Sequence, residues 1–534
     1  MLFDPMIQNN DVRMHSYSFH QYADNPTIAQ DPIVKELRYL TTPGVNLLYR
    51  AIVPLSNVQV ANKIVQGITL AVVLLSIIYF SSLSKDSLPS AALLMFLTLH
   101  TPSLMASIAG GMQRSFALPS MMLWITGAMA PRRLLRVVGI FIAALTYPVA
   151  MALLMAAEFY LIFAGVNWSD SAQRRKQIVL GVKRYSAVLL GCLVLLGPRL
   201  SVMIEAGPIH SVHEALQEPA FGPEGRIKVP PFSNPISKMT RRFVSPLVAA
   251  GRTVFLRFEV KNTELFTLIL VLAISFCVWR KILPVPKVAL CLIAASLSMY
   301  LVARVFAFDL YLPKRYYQYG LPLACITAFS EIMHQMTGLK LRSYHVPKHF
   351  VVSAVVVTLL AIGGNGIQPR LGSYLDGRTH FALFEYFKST PLNSRIAAHP
   401  YDGDDVPYWS GRPTTGGYES LQPWYIDSWR RQKAFTKELL GALYATDWET
   451  LISFCRKHNI THLLLRTDRY GNDFRSKATL FQPFGSFLQR ILSPIELNDL
   501  VITKVIESEP VFRDGSFVVI EVESLLSHAS KEEK

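Results

Sequence analysis

Long apolar stretches separated by short polar loops dominate residues 63–366. The stretches run over 65–82, 90–107, 116–130, 134–165, 183–202, 263–279, 286–306, 317–334 and 348–366. A membrane-spanning helix needs about 20 apolar residues, and most of these stretches approach or exceed that length. The stretch 134–165 is too long for one crossing and has Pro148 near its middle. The pattern predicts an α-helical polytopic membrane protein of about ten transmembrane helices, in which 134–165 crosses twice.

Both ends of the chain are more polar than this membrane region. Residues 1–62 are too polar to cross a bilayer, and 406–424 is rich in Pro, Gly and aromatic residues, as loops are. Helical spacing occurs at 431–444 and 448–458, and strand-like apolar runs occur at 395–399, 461–466, 501–507 and 516–522. Alternating helices and strands predict a soluble α/β domain. The expected organisation is an N-terminal loop segment 1–62, a transmembrane domain 63–366 with a long loop at 205–262, and an α/β domain 367–534.

Composition agrees with a membrane protein. The chain has 534 residues, of which 51% are hydrophobic and 17% charged, whereas soluble domains carry about 25% charged residues. The net charge of +16 lies in the apolar part: residues up to Gly366 hold 33 Lys and Arg against 16 Asp and Glu, and later residues hold 20 against 21. A nucleic-acid-binding protein gathers basic residues on a folded polar surface, so we expect no nucleic-acid partner.

Loop charges predict the orientation in the membrane. Basic clusters lie in four short loops, at 132–136, 174–184, 280–287 and 340–348. Positively charged loops stay in the cytoplasm, and all four share that side only if 134–165 crosses twice. Residues 1–62, 205–262 and everything after Gly366 are then extracytoplasmic. The polar segment 1–62 must then cross the membrane either as a translocated tail or behind a further helix that precedes it, and we favour the preceding helix.

Familiar motifs of soluble enzymes do not occur in the sequence. It contains no GxxxxGK[ST], GxGxxG, HExxH or GxSxG, and its five cysteines include no CxxC pair. Neither a zinc site nor a disulfide scaffold is therefore expected. The acidic run 402–405 (DGDD) has the oxygen ligands that a divalent cation prefers, but a solvated loop before Pro407 is the favoured interpretation.

The N-terminal segment contains the first candidate site. Asp4, Asp11, Arg13 and His15 fall within twelve residues, next to the predicted outer membrane surface. Such a set can supply a general base and a cation for an anionic substrate. A polar surface turn is the alternative reading.

Cations near the predicted outer surface form the second candidate. Arg114 follows two glycines at the start of an apolar stretch, Arg304 lies within another, and Lys314 and Arg315 lie among tyrosines. An arginine inside a membrane is costly and usually faces a cavity or a partner. These residues can form a cradle for the phosphate of a lipid carrier, or anchor the helices at the interface. Glu158 either pairs with an intramembrane arginine or lines a cavity.

Four short strings resemble those of prokaryotic GT-C membrane glycosyltransferases, the superfamily of oligosaccharyltransferases and protein O-mannosyltransferases. They are QNNDVRMH at 8–15, QRSFA at 113–117, PAFGPEGR at 219–226 and YLPKRY at 311–316. The resemblance implies a catalytic aspartate in the first outer loop, which Asp11 matches best and Asp4 second. It also implies a helix before that loop, in agreement with the expectation above.

The sequence departs from parts of that superfamily's pattern. Metal-dependent members carry an acidic motif in a later outer loop, but 110–115 has no acid, so a site for Mg or Mn is incomplete. Metal-dependent members also carry a glutamate in a longer outer loop. Its candidates here are Glu214, Glu218 and Glu224, but none of them lies in a matching motif. The WWDYG motif of oligosaccharyltransferases is missing, which argues against asparagine glycosylation.

These observations favour transfer of a sugar from a polyprenyl-phosphate donor to an extracytoplasmic acceptor. Asp11 would take the acceptor proton, with Arg315, Lys314 and Arg304 stabilising the leaving phosphate. Arg13, His15, Arg114 and Glu224 complete the predicted substrate site, and Asp11 and Arg315 are expected to line one cavity. The predicted acceptor-binding aromatics, for which domain core is the alternative role, are Tyr408, Trp409, Trp424 and Tyr425.

Two other classes of protein fit the same pattern. A transporter or flippase of a lipid-linked saccharide would use the cations without a base, and inverted repeats would favour it, but the sequence has none that we can recognise. A non-catalytic membrane scaffold would use the C-terminal domain as a binding module. The sugar, carrier, acceptor and oligomeric state are not specified by the sequence.

Overall fold

The computed structural model describes residues 3–23, 25–82, 88–227, 235–254, 285–306, 310, 312–340, 374–507 and 510–532. Most of these residues are helical. The helices of the N-terminal and membrane parts are Val12–Ser16 (α1), Pro32–Glu36, Pro43–Ile52, Val58–Ser82, Leu88–His100, Pro102–Ile108, Ala117–Met129, Arg133–Thr146, Pro148–Ala164, Ser171–Ala206, Val212–Gln217, Pro235–Val254, Lys287–Val305 and Lys314–Lys340. Those of the C-terminal part are Phe381–Ser389, Val406–Ser410, Ile426–Leu443, Trp448–Lys457, Phe474–Lys477, Phe484–Leu492, Val501–Val505 and Val522–Glu532.

Three helices of the described part are long and apolar enough to cross a membrane. They are Val58–Phe80, Ser171–Ala206 and Lys287–Val305, and Pro148–Ala164 is a shorter apolar helix. The stretch 90–107 was expected to form one helix, which is wrong: Leu88–His100 and Pro102–Ile108 are separate, because the residue before Pro102 is extended. The stretches 263–279 and 348–366 lie outside the described residues, so the count of ten remains a prediction.

The break expected at Pro148 is confirmed. Arg133–Thr146 and Pro148–Ala164 are two helices, separated by Tyr147 with φ −148°. The Thr42 hydroxyl donates to the Thr146 carbonyl at 2.9 Å, so this junction contacts the N-terminal segment. At the far end of the second helix, Lys287 Nζ donates to the Ala164 carbonyl at 3.0 Å. Lys287 and the C-terminal end of Pro148–Ala164 therefore lie at the same end of the bundle.

The bundle core is apolar and includes one ion pair near its edge. Trp124, Leu154, Tyr316 and other fully buried side chains hold the helices together. Glu158 lies 3.1 Å from Arg136 Nη1 and accepts a hydrogen bond from the Trp124 indole at 3.0 Å. Of the two readings open for Glu158, the structure supports pairing with an arginine.

The C-terminal part contains a four-stranded sheet in the order β3-β4-β6-β5. The strands are Ile396–Ala398 (β3), His462–Arg466 (β4), Phe512–Asp514 (β5) and Phe517–Glu521 (β6). β3 and β4 are parallel, while β6 is antiparallel to both β4 and β5. The strand-like runs at 395–399, 461–466 and 516–522 are thus confirmed. The run at 501–507 forms the helix Val501–Val505 instead, since its buried residues recur at helical spacing.

The N-terminal segment packs directly on the C-terminal part. Strand Ile7–Asn9 (β1) pairs antiparallel with Tyr374–Asp376 (β2). A bridge joins Ile209 of the loop after Ser171–Ala206 to Tyr425, and the backbone N–H of Gln482 donates to the carbonyl of Glu224 at 3.0 Å. The three regions predicted to be extracytoplasmic are therefore in contact with one another.

The aromatic side chains assigned to the acceptor belong to the core of this layer. Tyr408 and Trp409 are buried against Phe384 and Val519, while Trp424 and Tyr425 are buried against Phe221 and Tyr39. Their relative exposures are 7% or less. The predicted acceptor-stacking role is wrong for all four, because a buried ring has no free face for a sugar.

Candidate active site

Asp11 lies at the start of α1, where the N-terminal segment meets the membrane helices. It occupies the N-cap position, but its side chain makes no capping hydrogen bond. The carboxylate binds Arg114 instead. His15 is four residues on, with its backbone N–H donating to the Asp11 carbonyl at 3.3 Å. Residues four apart share one helix face, so Asp11 and His15 face the same way.

Arg114 reaches Asp11 from a turn that requires glycine. Its Nη2 donates to Asn9 Oδ1 at 2.9 Å, and Asn9 Oδ1 also accepts from the Asp11 backbone N–H at 3.1 Å. Gly111, three residues before Arg114, has φ +64°, and a Cβ there would lie 2.5 Å from the Asn62 carbonyl oxygen. The glycine therefore lets this loop approach the Val58–Ser82 helix and place Arg114 against Asp11.

Arg315 contributes a second positive charge to the same site. It lies in the first turn of Lys314–Lys340, and its Nη1 is 3.5 Å from the Tyr319 hydroxyl. Its charge acts on both Asp11 and His15. Arg315 therefore lies within electrostatic range of Asp11, although 304 positions separate the two residues, and whether both line one cavity stays a prediction.

These charges set the protonation of the site. Burial would raise the pKa of Asp11, but the charges of Arg114, His15 and Arg315 outweigh it and hold that pKa below its ordinary value. Burial, together with Arg114 and Arg315, lowers the pKa of His15 to about 4 against the opposing charge of Asp11. Near neutral pH the site therefore holds a carboxylate that binds Arg114 and is acted on by the charge of Arg315, beside a neutral imidazole. His15 Nδ1 is buried and has no hydrogen-bond partner within the described ranges.

Arg13 points away from this site. Its Nη1 lies 2.9 Å from Asp404 Oδ2 and 2.8 Å from Asp405 Oδ1, and its Nη2 is 3.8 Å from Glu419 Oε1. Burial raises the pKa of Asp404 to about 7, the carboxylates of Asp405 and Glu419 add to this, and the charge of Arg13 opposes it. Arg13 therefore places a positive charge among three acidic side chains that would otherwise repel one another.

The acidic run 402–405 was weighed as a cation site, and the structure assigns its carboxylates to arginines. Asp404 and Asp405 bind Arg13, and Asp402 accepts from Arg469 Nη2 at 3.0 Å. Where the structure describes the chain, no group of three or more His, Cys, Asp or Glu side chains is placed to hold a metal ion. Because Asp11 also binds an arginine, the residues present do not fit a metal at this site.

The remaining predicted site residues lie at other contacts. Asp4 caps a turn by accepting from the Met6 N–H at 3.0 Å and lies 3.4 Å from Arg378. Glu224 is exposed, and its nearest partner is Gln482. Arg304 is half-buried in the last turn of Lys287–Val305.

Lys314 is exposed beside Arg315, and the positive charges of Arg242 and Lys238 act on it. Both of these residues belong to Pro235–Val254, an amphipathic helix that packs against Lys314–Lys340. Sequence reasoning missed Asn9, Lys238 and Arg242. A signal for each was present in the sequence. Asn9 belongs to the string 8–15, and Lys238 and Arg242 are four positions apart, the spacing that places side chains on one face of a helix.

Comparisons with known proteins give similar structures. No family model matches the chain, and no curated protein matches it in sequence. Similar solved structures include ArnT from Cupriavidus metallidurans in the apo state. The match has a TM-score of 0.46 and 14% sequence identity, and it covers 96% of this chain and 94% of that one.

The oligosaccharyltransferase of Archaeoglobus fulgidus is also similar. Its complex with Zn and sulfate has TM-score 0.44 and 11% identity over 84% of this chain and 62% of that one. AglB from the same organism, in complex with an inhibitory peptide and a dolichol-phosphate, has TM-score 0.43 and 11% identity, covering 89% of this chain and 66% of that one. This chain thus spans less than two thirds of the archaeal enzyme.

Proposed function

We propose that this protein transfers a sugar from a polyprenyl-phosphate donor to an extracytoplasmic acceptor. The observation that carries the proposal is the convergence of Asp11, Arg114 and Arg315 on one site at the junction of membrane helices and extramembrane layer. A base and a set of cations are the two elements that such a transfer needs, because a proton leaves the acceptor while negative charge grows on the donor phosphate.

In the proposed reaction, the donor phosphate binds Arg114 and Arg315. A phosphate is a strong competitor for guanidinium groups, so its arrival weakens the hold of Arg114 on Asp11. The positive charge that lowers the pKa of Asp11 is then partly neutralised, and the carboxylate becomes a stronger base. Donor binding thereby prepares Asp11 to accept a proton.

The chemical step then follows with this chain's residues in fixed roles. The acceptor's nucleophilic atom attacks the anomeric carbon of the sugar, and its proton passes to Asp11. The bond between that carbon and the phosphate oxygen breaks, with its electron pair staying on the oxygen. Arg114 and Arg315 stabilise the negative charge that develops there. Neutral His15, next to Asp11, can hydrogen-bond to the acceptor without adding positive charge.

The decisive experiment for the function is a transfer assay. Full-length protein in membranes is incubated with radiolabelled polyprenyl-phosphate sugars, and the products are separated and identified. The proposal expects label to leave the lipid and appear on an acceptor. Label that stays on the lipid but changes leaflet would support the flippase instead, and label that neither moves nor reacts would support the scaffold.

The topology makes a separate prediction. Single cysteines at Arg133, Arg174 and Lys340 should be protected from a membrane-impermeant thiol reagent, whereas those at Asp11, Glu224 and Tyr418 should be labelled from outside. The reasons are the basic loops on one side and the contacts that join the other three regions. The same protection is predicted at Lys281, which lies outside the described residues.

Intact cells or right-side-out vesicles provide the measurement, in a background where the five native cysteines are replaced. Permeabilised cells give the control, since every exposed position should then be labelled. Labelling of the Arg174 position from outside would contradict the double crossing of 134–165.

A further inference from the structure

Helix α1 has two functional sides. Asp11 and His15 face Arg114 and Arg315, whereas Arg13 is two positions after Asp11, about 200° around the helix axis. Its guanidinium therefore points to the C-terminal part, where it binds Asp404 and Asp405. One short helix thus presents the proposed base on one side and an ion pair to the C-terminal part on the other.

The acidic residues that bind Arg13, Asp404 and Asp405, are held in place by further contacts of the C-terminal part. The Asp404 side chain is 6% exposed and accepts a hydrogen bond from the backbone N–H of Glu419 at 3.0 Å. A Cβ at Gly417 would lie 2.0 Å from Asp404 Oδ1, so a glycine is needed beside the carboxylate. Glu419 also binds Arg226 Nη2 at 2.7 Å, and the Arg226 guanidinium lies 3.9 Å from the centre of the Tyr418 ring.

Helix α1 depends on such contacts for its orientation. It has five residues, and isolated helices shorter than about 12 residues are only marginally stable in water. Its N-cap side chain is used by Arg114 and does not cap the helix. Val12 is fully buried and Ser16 Oγ donates to Asn62 Oδ1 at 3.1 Å. Arg13 is the side chain of α1 that forms ion pairs with the C-terminal part.

We propose that Arg13 is a positioning residue, through which Asp404 and Asp405 of the C-terminal part hold Asp11 in its catalytic orientation. This inference rests on the proposed function, because it concerns the same Asp11. It assigns the C-terminal part a role in catalysis without contact with the substrate, and it replaces the substrate-binding role that the sequence predicted for Arg13.

The test separates positioning from binding by kinetics. Arg13→Gln should lower kcat by about 10²-fold, the loss that a displacement of about 1 Å produces, while KM for the labelled polyprenyl-phosphate sugar stays within about threefold of wild type. Asp404→Asn with Asp405→Asn should give the same loss. Arg13→Lys should recover part of kcat, since lysine keeps the charge but not the forked contact.

A double-mutant cycle identifies the ion pair as the cause. Adding Arg13→Gln to the double variant at Asp404 and Asp405 should lower kcat little further, because residues that act together are not additive. Arg431→Gln is the matched control: it breaks an exposed ion pair between the C-terminal part and Glu36 of the N-terminal segment and should leave kcat unchanged.

A second measurement does not depend on activity, so it separates a loss of α1 structure from a general failure to fold. Hydrogen exchange of the amides of residues 12–16 should accelerate at least tenfold in Arg13→Gln and stay at the wild-type rate in Arg431→Gln. Unchanged exchange in a folded Arg13→Gln protein, additive losses in the cycle, or a raised KM with normal kcat would each overturn the inference. If the wild-type protein transfers no sugar, the proposed function fails, while exchange still decides whether Arg13 holds α1.

Discussion

Asp11→Asn should lower the rate of sugar transfer by about 10²- to 10⁴-fold, the range that a general base contributes. Asparagine keeps the shape of the side chain and can still contact Arg114, but it cannot take the acceptor proton. Binding of the donor should change little, because Arg114 and Arg315 remain. Transfer from labelled polyprenyl-phosphate sugar and donor binding to purified protein are the two measurements.

Two other carboxylates serve as comparisons. Asp376→Asn removes an exposed acid that binds Arg378, and it should leave transfer unchanged. Asp4→Asn decides between the two aspartates that the sequence proposed, and we expect it to keep most activity, because Asp4 lies beside Arg378 rather than Arg114. Full transfer by Asp11→Asn would contradict the assignment of the base.

Arg315→Ala should lower kcat/KM for the donor by about 10²- to 10³-fold, the loss that follows removal of one group stabilising a developing negative charge. The effect on folding should be small, since Arg315 lies at the start of its helix and is only half-buried. Arg315→Lys should recover part of the activity, because lysine supplies a charge without the two parallel contacts of a guanidinium. Steady-state kinetics and thermal unfolding of the same preparations measure both effects.

The control for Arg315 is Arg430→Ala, which removes an exposed arginine that binds Asp427 in the C-terminal part. Its kinetics should match those of the wild-type protein. Equal transfer by Arg315→Ala and Arg430→Ala would show that the charge of Arg315 does not serve the donor phosphate.

Sequence patterns predicted the parts of this molecule that depend on local order. Pro148 marked the break between two helices, and short continuous apolar runs marked β4 and β6. The run 501–507 formed the helix Val501–Val505 and was misread, because a short segment rich in Val and Ile suits a strand or a short buried helix equally well. The two are distinguished by which side chains are buried, at helical or at strand spacing, and that depends on the rest of the fold.

The sequence identified candidate residues for the site but not their pairings. Asp11, Arg114 and Arg315 were each recognisable as a charged residue where the chain meets an apolar stretch. That Asp11 binds Arg114, and that Arg13 turns to Asp404, follows from contacts between residues 103 and about 390 positions apart. Charge and spacing along the sequence carry no information on such partners, so Arg13 was grouped with the substrate residues that stand beside it.

The contact between Arg13 and Asp405 has a consequence for the biogenesis of the protein. The two residues are separated by 392 positions, and a ribosome that adds about 5–20 residues per second needs roughly 20–80 s to pass from one to the other. During that time the membrane helices can insert while α1 lacks the acids that orient it. On this view the nascent protein stays inactive until its last part has been translated and folded.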